Sequence, residues 1–224
     1  MKNLLDPESK LISTLNIVAD FVFVNILFLI CCIPIVTIGA ARAAMCTVAA
    51  AWAEKESCGG GTFLRAFRDN FKVSLGPWLI VLGAGLFLAL DAWFLFLYEI
   101  PGEIVWHVIV FLLSAVYLLI LPQLFHVLAR YTCTGITCLK NAALIALGNM
   151  VPSAVCAFVG AVPFLFMYYF TGLFLDLLLL WGLGYFSLAA YWEAGLMKKT
   201  YKRLSAQLTE EPESPETSES PAET

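Results

Sequence analysis

Charged side chains are scarce in this sequence. They make up 13% of its 224 residues, whereas apolar residues make up 61%, and average soluble domains carry about a quarter charged residues. No soluble fold of this length can bury so much apolar surface. The sequence also lacks the H-E-x-x-H, G-x-S-x-G, P-loop and G-x-G-x-x-G motifs of catalysis and nucleotide binding. We therefore expect no enzyme activity, no cofactor and no nucleic-acid partner.

Histidine and cysteine give no sign of a metal site. His107 and His126 are the two histidines, and on one helix they would lie about 28 Å apart, since each residue rises about 1.5 Å. Cys133 and Cys138 are five residues apart, which places them on different faces of a helix, and no histidine lies nearby, so the pair does not fit zinc. We expect no bound metal.

Long apolar runs are what the sequence has in abundance. A helix needs about 20 apolar residues to cross a hydrocarbon core about 30 Å thick. Spanning segments must be helices or closed barrels, and these runs are too long and alternate too little for barrel strands. The sequence therefore predicts an all-α, polytopic transmembrane helix bundle. Its five clear spans are residues 11–33, 77–98, 104–129, 152–171 and 173–197.

A sixth, less certain segment is the Ala-rich stretch 40–53, which follows a break at Pro34. It fits a short crossing, a re-entrant segment or a helix on the membrane surface. Small residues four apart, such as Ala40 with Ala44 and Ala190 with Ala194, predict close helix packing.

The chain divides into three regions by composition. Residues 1–10 form a short polar N-terminus, residues 11–204 the transmembrane helical domain, and residues 205–224 an acidic tail. The tail is rich in Glu, Pro, Ser and Thr, and it has too few apolar residues to form a core. We expect it to be disordered.

Lysine and arginine alternate along the chain in a way that predicts orientation. The loop at 54–72 has four, the connection at 130–149 has two, the stretch after Met197 has four, and the turns near Glu99 and Gly172 have none. The positive-inside rule then places the basic loops and the C-terminus in the cytoplasm. The N-terminus is inside if 40–53 crosses, giving six segments, and outside if it does not. We favour six segments.

Polar residues inside the spans are the candidate functional residues, because ionisable groups are costly in a membrane. Asp20 and Asn25 lie in the first span, Arg42 in the Ala-rich segment and Glu193 near the inner end of the last span. A helix–helix hydrogen bond is the alternative role for Asp20. Its depth in a simple hairpin differs from that of Arg42 by roughly 12 Å, so we expect no direct pair. We expect Arg42 to reach an interface, and Glu193 to lie at one near Lys198.

An aromatic stripe precedes the span at 77–98. Phe63, Phe67 and Phe71 recur every four residues with Arg65, Arg68 and Lys72 between them. This pattern fits a helix lying at the headgroups, where the phenylalanines could dock a partner. It fits equally a lead-in to the next span.

The stretch from Asn25 through Ala44, centred on Ile33-Pro34-Ile35-Val36-Thr37-Ile38-Gly39, resembles the signature of the YesL-like family of bacterial membrane proteins, domain of unknown function 624. The segments around Asn70-Phe71-Lys72, Leu139-Lys140-Asn141-Ala142 and Gly184-Tyr185-Phe186-Ser187 resemble the family in the same order. The resemblance implies a bacterial plasma membrane location and an association with carbohydrate uptake. It supplies no catalytic or binding residues.

Two functions fit these observations. The first is an accessory subunit that binds a transporter permease in the lipid bilayer and assists carbohydrate uptake. The alternative is a stand-alone small-solute permease, with Asp20 and Glu193 lining its path. The chain is small for a secondary transporter and shows no clear internal repeat.

Overall fold

The computed structural model describes residues 10–98, 103–131 and 135–210. The polar N-terminus before residue 10, the acidic turn at Glu99 and the tail beyond residue 210 lie outside the described residues. Within the described ranges every regular element is a helix, so the predicted all-α class is confirmed. The last helix continues to Glu210, beyond the predicted end of the membrane domain at 204.

Nine α-helices follow one another along the described chain. A 3-10 turn at Ile35–Thr37 precedes the second, and a π-helical turn at Trp181–Tyr185 precedes the last. The helices are α1 Lys10–Cys31, α2 Ile38–Ala53, α3 Gly60–Leu97, α4 Glu103–Arg130, α5 Ile136–Gly148, α6 Met150–Tyr169, α7 Thr171–Asp176, α8 Leu178–Leu180 and α9 Phe186–Glu210.

Four described helical segments are long and apolar enough to cross a membrane: Ile35–Ala53, Gly60–Leu97, Ile104–Arg130 and Met150–Tyr169. The protein is therefore a multi-pass membrane protein by the length and composition of its helices. The predicted count of five clear spans is not confirmed. The predicted last span, 173–197, is interrupted at Leu177 and at the π-helical turn Trp181–Tyr185, and its helix α9 becomes polar after Met197.

Helix α3 is the longest element, with 38 residues. The aromatic stripe of Phe63, Phe67 and Phe71 lies within α3, so it leads directly into the span and does not form a separate surface helix. Its polar half, residues 60–78, carries Arg65, Arg68, Asp69 and Lys72, whereas its apolar half, residues 79–97, has Asp91 as its one charged residue.

The α1–α2 hairpin packs along the polar half of α3. Its turn is closed by Thr37, whose hydroxyl donates to the carbonyls of Cys31 and Pro34 at 2.6 and 2.7 Å and makes no cap bond to α2. Trp78 fits against this turn so closely that a Cβ on Gly39 would lie 2.6 Å from its own Cβ. Glycine is required there for the two helices to meet.

The hairpin also packs against α9 through small side chains. Ala40, Ala44, Ala190 and Ala194 are all buried, which confirms the close packing predicted from their spacing. One core cluster joins α1, α2, α3 and α9 around Met45. The second joins α2, α3, α4, α5, α6 and α9 around Leu124. The centre of the bundle thus lies between the hairpin and the last helix.

Candidate functional site

The centre of the bundle contains an ion pair between α2 and α9. Arg42 Nη2 donates a hydrogen bond to Glu193 Oε2. The Glu193 side chain is fully buried, and that of Arg42 is 17% exposed. A buried charge is tolerated only when it is paired, because desolvation costs several kcal/mol per ion. The two charges therefore depend on each other.

Both side chains are largely buried inside the bundle, where they pair with each other, whereas we had predicted that each would reach a membrane interface on its own. Arg42 follows the closely packed Gly39 by one helical turn, so its long side chain points into the bundle. Helix α9 crosses α2 at this height, and the small Ala190 and Ala194 on either side of Glu193 let the helices approach. The depth estimate considered the α1–α2 hairpin alone and could not include the last helix.

His126 completes the cluster and was not predicted as a site residue. Its Nε2 lies 3.6 Å from Glu193 Oε2, and its side chain is 2% exposed. The buried thiols of Cys46 and Cys156 interact with the same imidazole. A histidine in the otherwise apolar second half of α4 was the available signal. Within the described ranges, no group of three or more His, Cys, Asp and Glu side chains is arranged to hold a metal ion.

The cluster does not satisfy all of its polar atoms. Among the described residues, Glu193 Oε1 and His126 Nε2 are buried side-chain atoms without a hydrogen-bond partner, as is Trp181 Nε1. Nearly all buried polar atoms in folded proteins are hydrogen-bonded. Two ionisable side chains that face each other, each with a buried atom that lacks a hydrogen bond, make this cluster the strongest candidate functional site.

Asn25 has a structural role. Its Nδ2 donates to the carbonyls of Trp181 and Gly182, at 3.2 and 2.5 Å, and its Oδ1 accepts from the backbone N–H of Ser187 at 3.1 Å. The two carbonyls belong to the π-helical turn before α9, where the ordinary helical pairing is interrupted, and Ser187 lies at the start of α9. Asn25 therefore holds α1 against the irregular part of the last membrane segment.

Asp20 lies away from the ion cluster, near the middle of α1. A Cβ on Gly59 would lie 2.6 Å from its Oδ1, which places it beside the loop between α2 and α3. Burial and then the negative charge of Asp20 raise the pKa of the Cys58 thiol in that loop. Arg42 pairs with Glu193, so Asp20 does not supply its countercharge.

The three phenylalanines of the predicted docking surface differ in exposure. Phe63 is fully buried in the core around Met45, Phe67 is half-buried, and Phe71 is 36% exposed. Their rings contact one another in series, with centroids 6.5 and 5.8 Å apart. Phe63 thus belongs to the interior, and Phe71 is the most exposed of the three.

A protein-family match covers most of the first three helices. Residues 21–92 match DUF624, a protein family of unknown function. The resemblance predicted from the sequence is confirmed over these residues. No curated protein and no solved structure matches the chain.

The DUF624 region contains Asn25 and Arg42 but ends before the partners of both. His126 lies beyond it in α4, and Glu193 lies beyond it in α9. The family match therefore covers one side of the ion cluster.

Proposed function

We propose that this protein is an accessory membrane subunit that binds a transporter permease. The observation that carries the proposal is that Glu193 is fully buried and paired with Arg42. An internally paired carboxylate is enclosed within the bundle, whereas a permease needs polar groups that line a path open to its solute. The cluster therefore favours a scaffold over a conduit.

The apolar surface of the protein supports a partner within the membrane. In the apolar 18-residue stretch of each helix, 11% of the residues of α3 and 6% of those of α4 are buried. The corresponding share in Ile35–Ala53 is 50%. Large aromatic side chains stand on this surface, including Trp93 at 64% and Phe96 at 84% exposure. In a bilayer such faces contact lipid or the helices of another protein, and we propose a permease helix.

The class of transport rests on the family resemblance. YesL-like proteins are associated with carbohydrate uptake, so the proposed partner is a carbohydrate permease in the bacterial plasma membrane. The basic segments, with Lys72 and Lys198, and the C-terminus then face the cytoplasm. No catalytic step by this chain is part of the proposal.

Affinity purification of the tagged full chain from native membranes, with quantitative mass spectrometry, tests the proposal. We expect a permease subunit at near-stoichiometric amounts, and we expect Trp93→Ala/Phe96→Ala to lose it at unchanged abundance. Phe158→Ala on α6, with a similarly exposed ring at 63%, is the matched control and should retain the partner. A chain that purifies without a permease, or equal loss in both variants, contradicts the proposal.

A stand-alone permease is the second candidate. It is favoured by the buried Glu193 Oε1 and His126 Nε2, which lack hydrogen bonds and belong to side chains that could exchange a proton during transport. Uptake into sealed vesicles that contain only this protein, compared between wild type, Glu193→Gln and Asp20→Asn, tests this candidate. Uptake that is abolished by Glu193→Gln but not by Asp20→Asn would support it, and absence of uptake by the wild type would reject it.

A further inference from the structure

A cleft beside Arg42 opens between α4 and α6. It has a volume of about 340 Å³ and is lined by apolar side chains, with Arg42 as its charged member. We infer that this cleft binds an anionic phospholipid, with the lipid phosphate at Arg42 and part of an acyl chain along α4 and α6. The inference is independent of the proposed function, because it concerns the lipid around the protein and not a protein partner.

The guanidinium of Arg42 has hydrogen-bonding capacity to spare. It carries five N–H donors, and within the described residues its hydrogen bond is the one that Nη2 makes to Glu193. The side chain is 17% exposed, and that exposure faces the cleft. Arginine recognises phosphate through paired N–H donors. A phosphate oxygen at the cleft mouth would satisfy donors that are otherwise left in an apolar environment.

The rest of the cleft has the shape and chemistry for a hydrocarbon chain. On α4 it extends from Phe125 to Leu118, and on α6 from Cys156 to Phe164, which is about 10–12 Å at helical rise. Its floor is open because Gly160 has no side chain, and a Cβ there would meet no atom within 4 Å. Burial of a chain in this groove removes apolar surface that no protein residue covers.

The depth of Arg42 fits a lipid headgroup. Gly39 packs against Trp78, and α2 runs antiparallel to α3, so Arg42 lies about 4–5 Å from that contact toward Lys72. Lys72 is the last charged residue of the polar half of α3, and the apolar half follows Trp78. Arg42 is therefore close to the height at which charged side chains give way to hydrocarbon.

The direction of the groove fits an acyl chain that enters the bilayer. Asn149, next to the start of α6, accepts a hydrogen bond from Thr200 at 3.3 Å, in the basic stretch that begins at Lys198. Along α6 the cleft then leads from Cys156 to Phe164, away from these charges. The phosphate site at Arg42 and the groove toward Phe164 are thus arranged like the headgroup and the acyl chain of a lipid in the leaflet nearest Lys72.

Native mass spectrometry of the full chain in a neutral detergent tests the site. Phosphatidylglycerol is titrated against phosphatidylcholine, with inorganic phosphate and oleate as competitors. We expect one phosphatidylglycerol per chain, bound at least about tenfold more tightly than phosphatidylcholine. Equal binding of the two phospholipids overturns recognition of the anionic headgroup. Full displacement by phosphate overturns the chain groove, and stoichiometric displacement by oleate overturns the choice of a phospholipid.

Two variants separate the groove from the charge. Gly160→Leu fills the groove and should weaken phosphatidylglycerol binding by about tenfold or more. Gly83→Leu on α3 is its matched control, because a Cβ at Gly83 also meets no atom within 4 Å, and it should bind as the wild type does. Arg42→Gln/Glu193→Gln removes both charges together and should abolish the preference for phosphatidylglycerol. If this double variant does not fold, the Gly160→Leu result decides, and unchanged binding by Gly160→Leu overturns the inference.

Discussion

The indole nitrogen of Trp78 donates a hydrogen bond to the backbone carbonyl of Ile35, 2.9 Å away. Trp78 stands at the middle of α3, whereas Ile35 forms the turn at the end of the α1–α2 hairpin. About 28 Å of α3 extends beyond this contact, which is close to the thickness of a hydrocarbon core. The hairpin therefore ends where the apolar half of α3 begins.

We predict from this contact that the α1–α2 hairpin reaches the edge of the hydrocarbon core without crossing the membrane. In a background without other cysteines, Asn16→Cys and Ser57→Cys should react with an impermeant maleimide from the same side of the membrane. Tyr98→Cys, at the far end of α3, should react from the opposite side. Reaction of Val36→Cys from the side of Tyr98 would show instead that the hairpin crosses completely.

The Arg42–Glu193 pair should show strong energetic coupling. Arg42→Gln leaves Glu193 as an uncompensated buried charge, and we expect it to lower the free energy of unfolding by about 3–5 kcal/mol. The double variant with Glu193→Gln should lose much less than the sum of the two single changes. Unfolding of the four proteins in mixed detergent micelles measures this coupling.

The exposed pair of Arg68 and Asp69 is the control for that cycle. Its charged atoms are 3.9 Å apart, and its side chains are 85% and 61% exposed. Surface pairs contribute about 0–1 kcal/mol, so the same cycle at these positions should give little coupling. Equal coupling at the two pairs would remove the argument that burial makes the Arg42–Glu193 pair special.

Asn25→Ala should destabilise the junction between α1 and the π-helical turn. The change leaves the carbonyls of Trp181 and Gly182 without the amide that binds them, at a cost of about 1–3 kcal/mol. Asn70→Ala is the matched control, because Asn70 Nδ2 donates to Ala66, one turn earlier in its own helix. Thermal unfolding in detergent should show a larger loss for Asn25→Ala, and equal losses would contradict its assigned role.

The reactivity of Cys58 should report the position of Asp20. The carboxylate of Asp20 contributes to the raised pKa of this thiol. Asp20→Asn removes that negative charge, so the pKa should fall and more thiolate should be present at a fixed pH below the pKa. Alkylation of Cys58, as the single cysteine, should become faster in Asp20→Asn and stay unchanged in the distant Asp69→Asn. An unchanged rate in Asp20→Asn would place its carboxylate elsewhere.

Much of the helical architecture follows from apolar run length, because a bilayer demands about 20 apolar residues per crossing. The predicted run at 104–129 agrees closely with α4, Glu103–Arg130. The last predicted run is not one continuous helix, because the length of an apolar run does not reveal breaks in the backbone helix. Leu177 and the turn at Trp181–Tyr185 interrupt a sequence that remains apolar throughout.

The candidate site could be predicted only in part. Rarity of charge within apolar segments identified Arg42 and Glu193 as unusual. Their pairing could not be predicted, since 151 positions separate them in sequence and spacing within one helix says nothing about such a contact. The same argument from rarity could have identified His126. We considered His126 only as a metal ligand together with His107, and the distance between them along one helix excluded that role.

The separation of Arg42 from Glu193 along the chain also has a consequence for biogenesis. A ribosome adding about 5–20 residues per second needs roughly 8–30 s to reach Glu193 after it has made Arg42. During that interval the nascent hairpin holds an arginine with no acid to neutralise it, and a charged side chain is costly inside a membrane. We expect the hairpin to stay near the membrane surface until the last helix supplies Glu193.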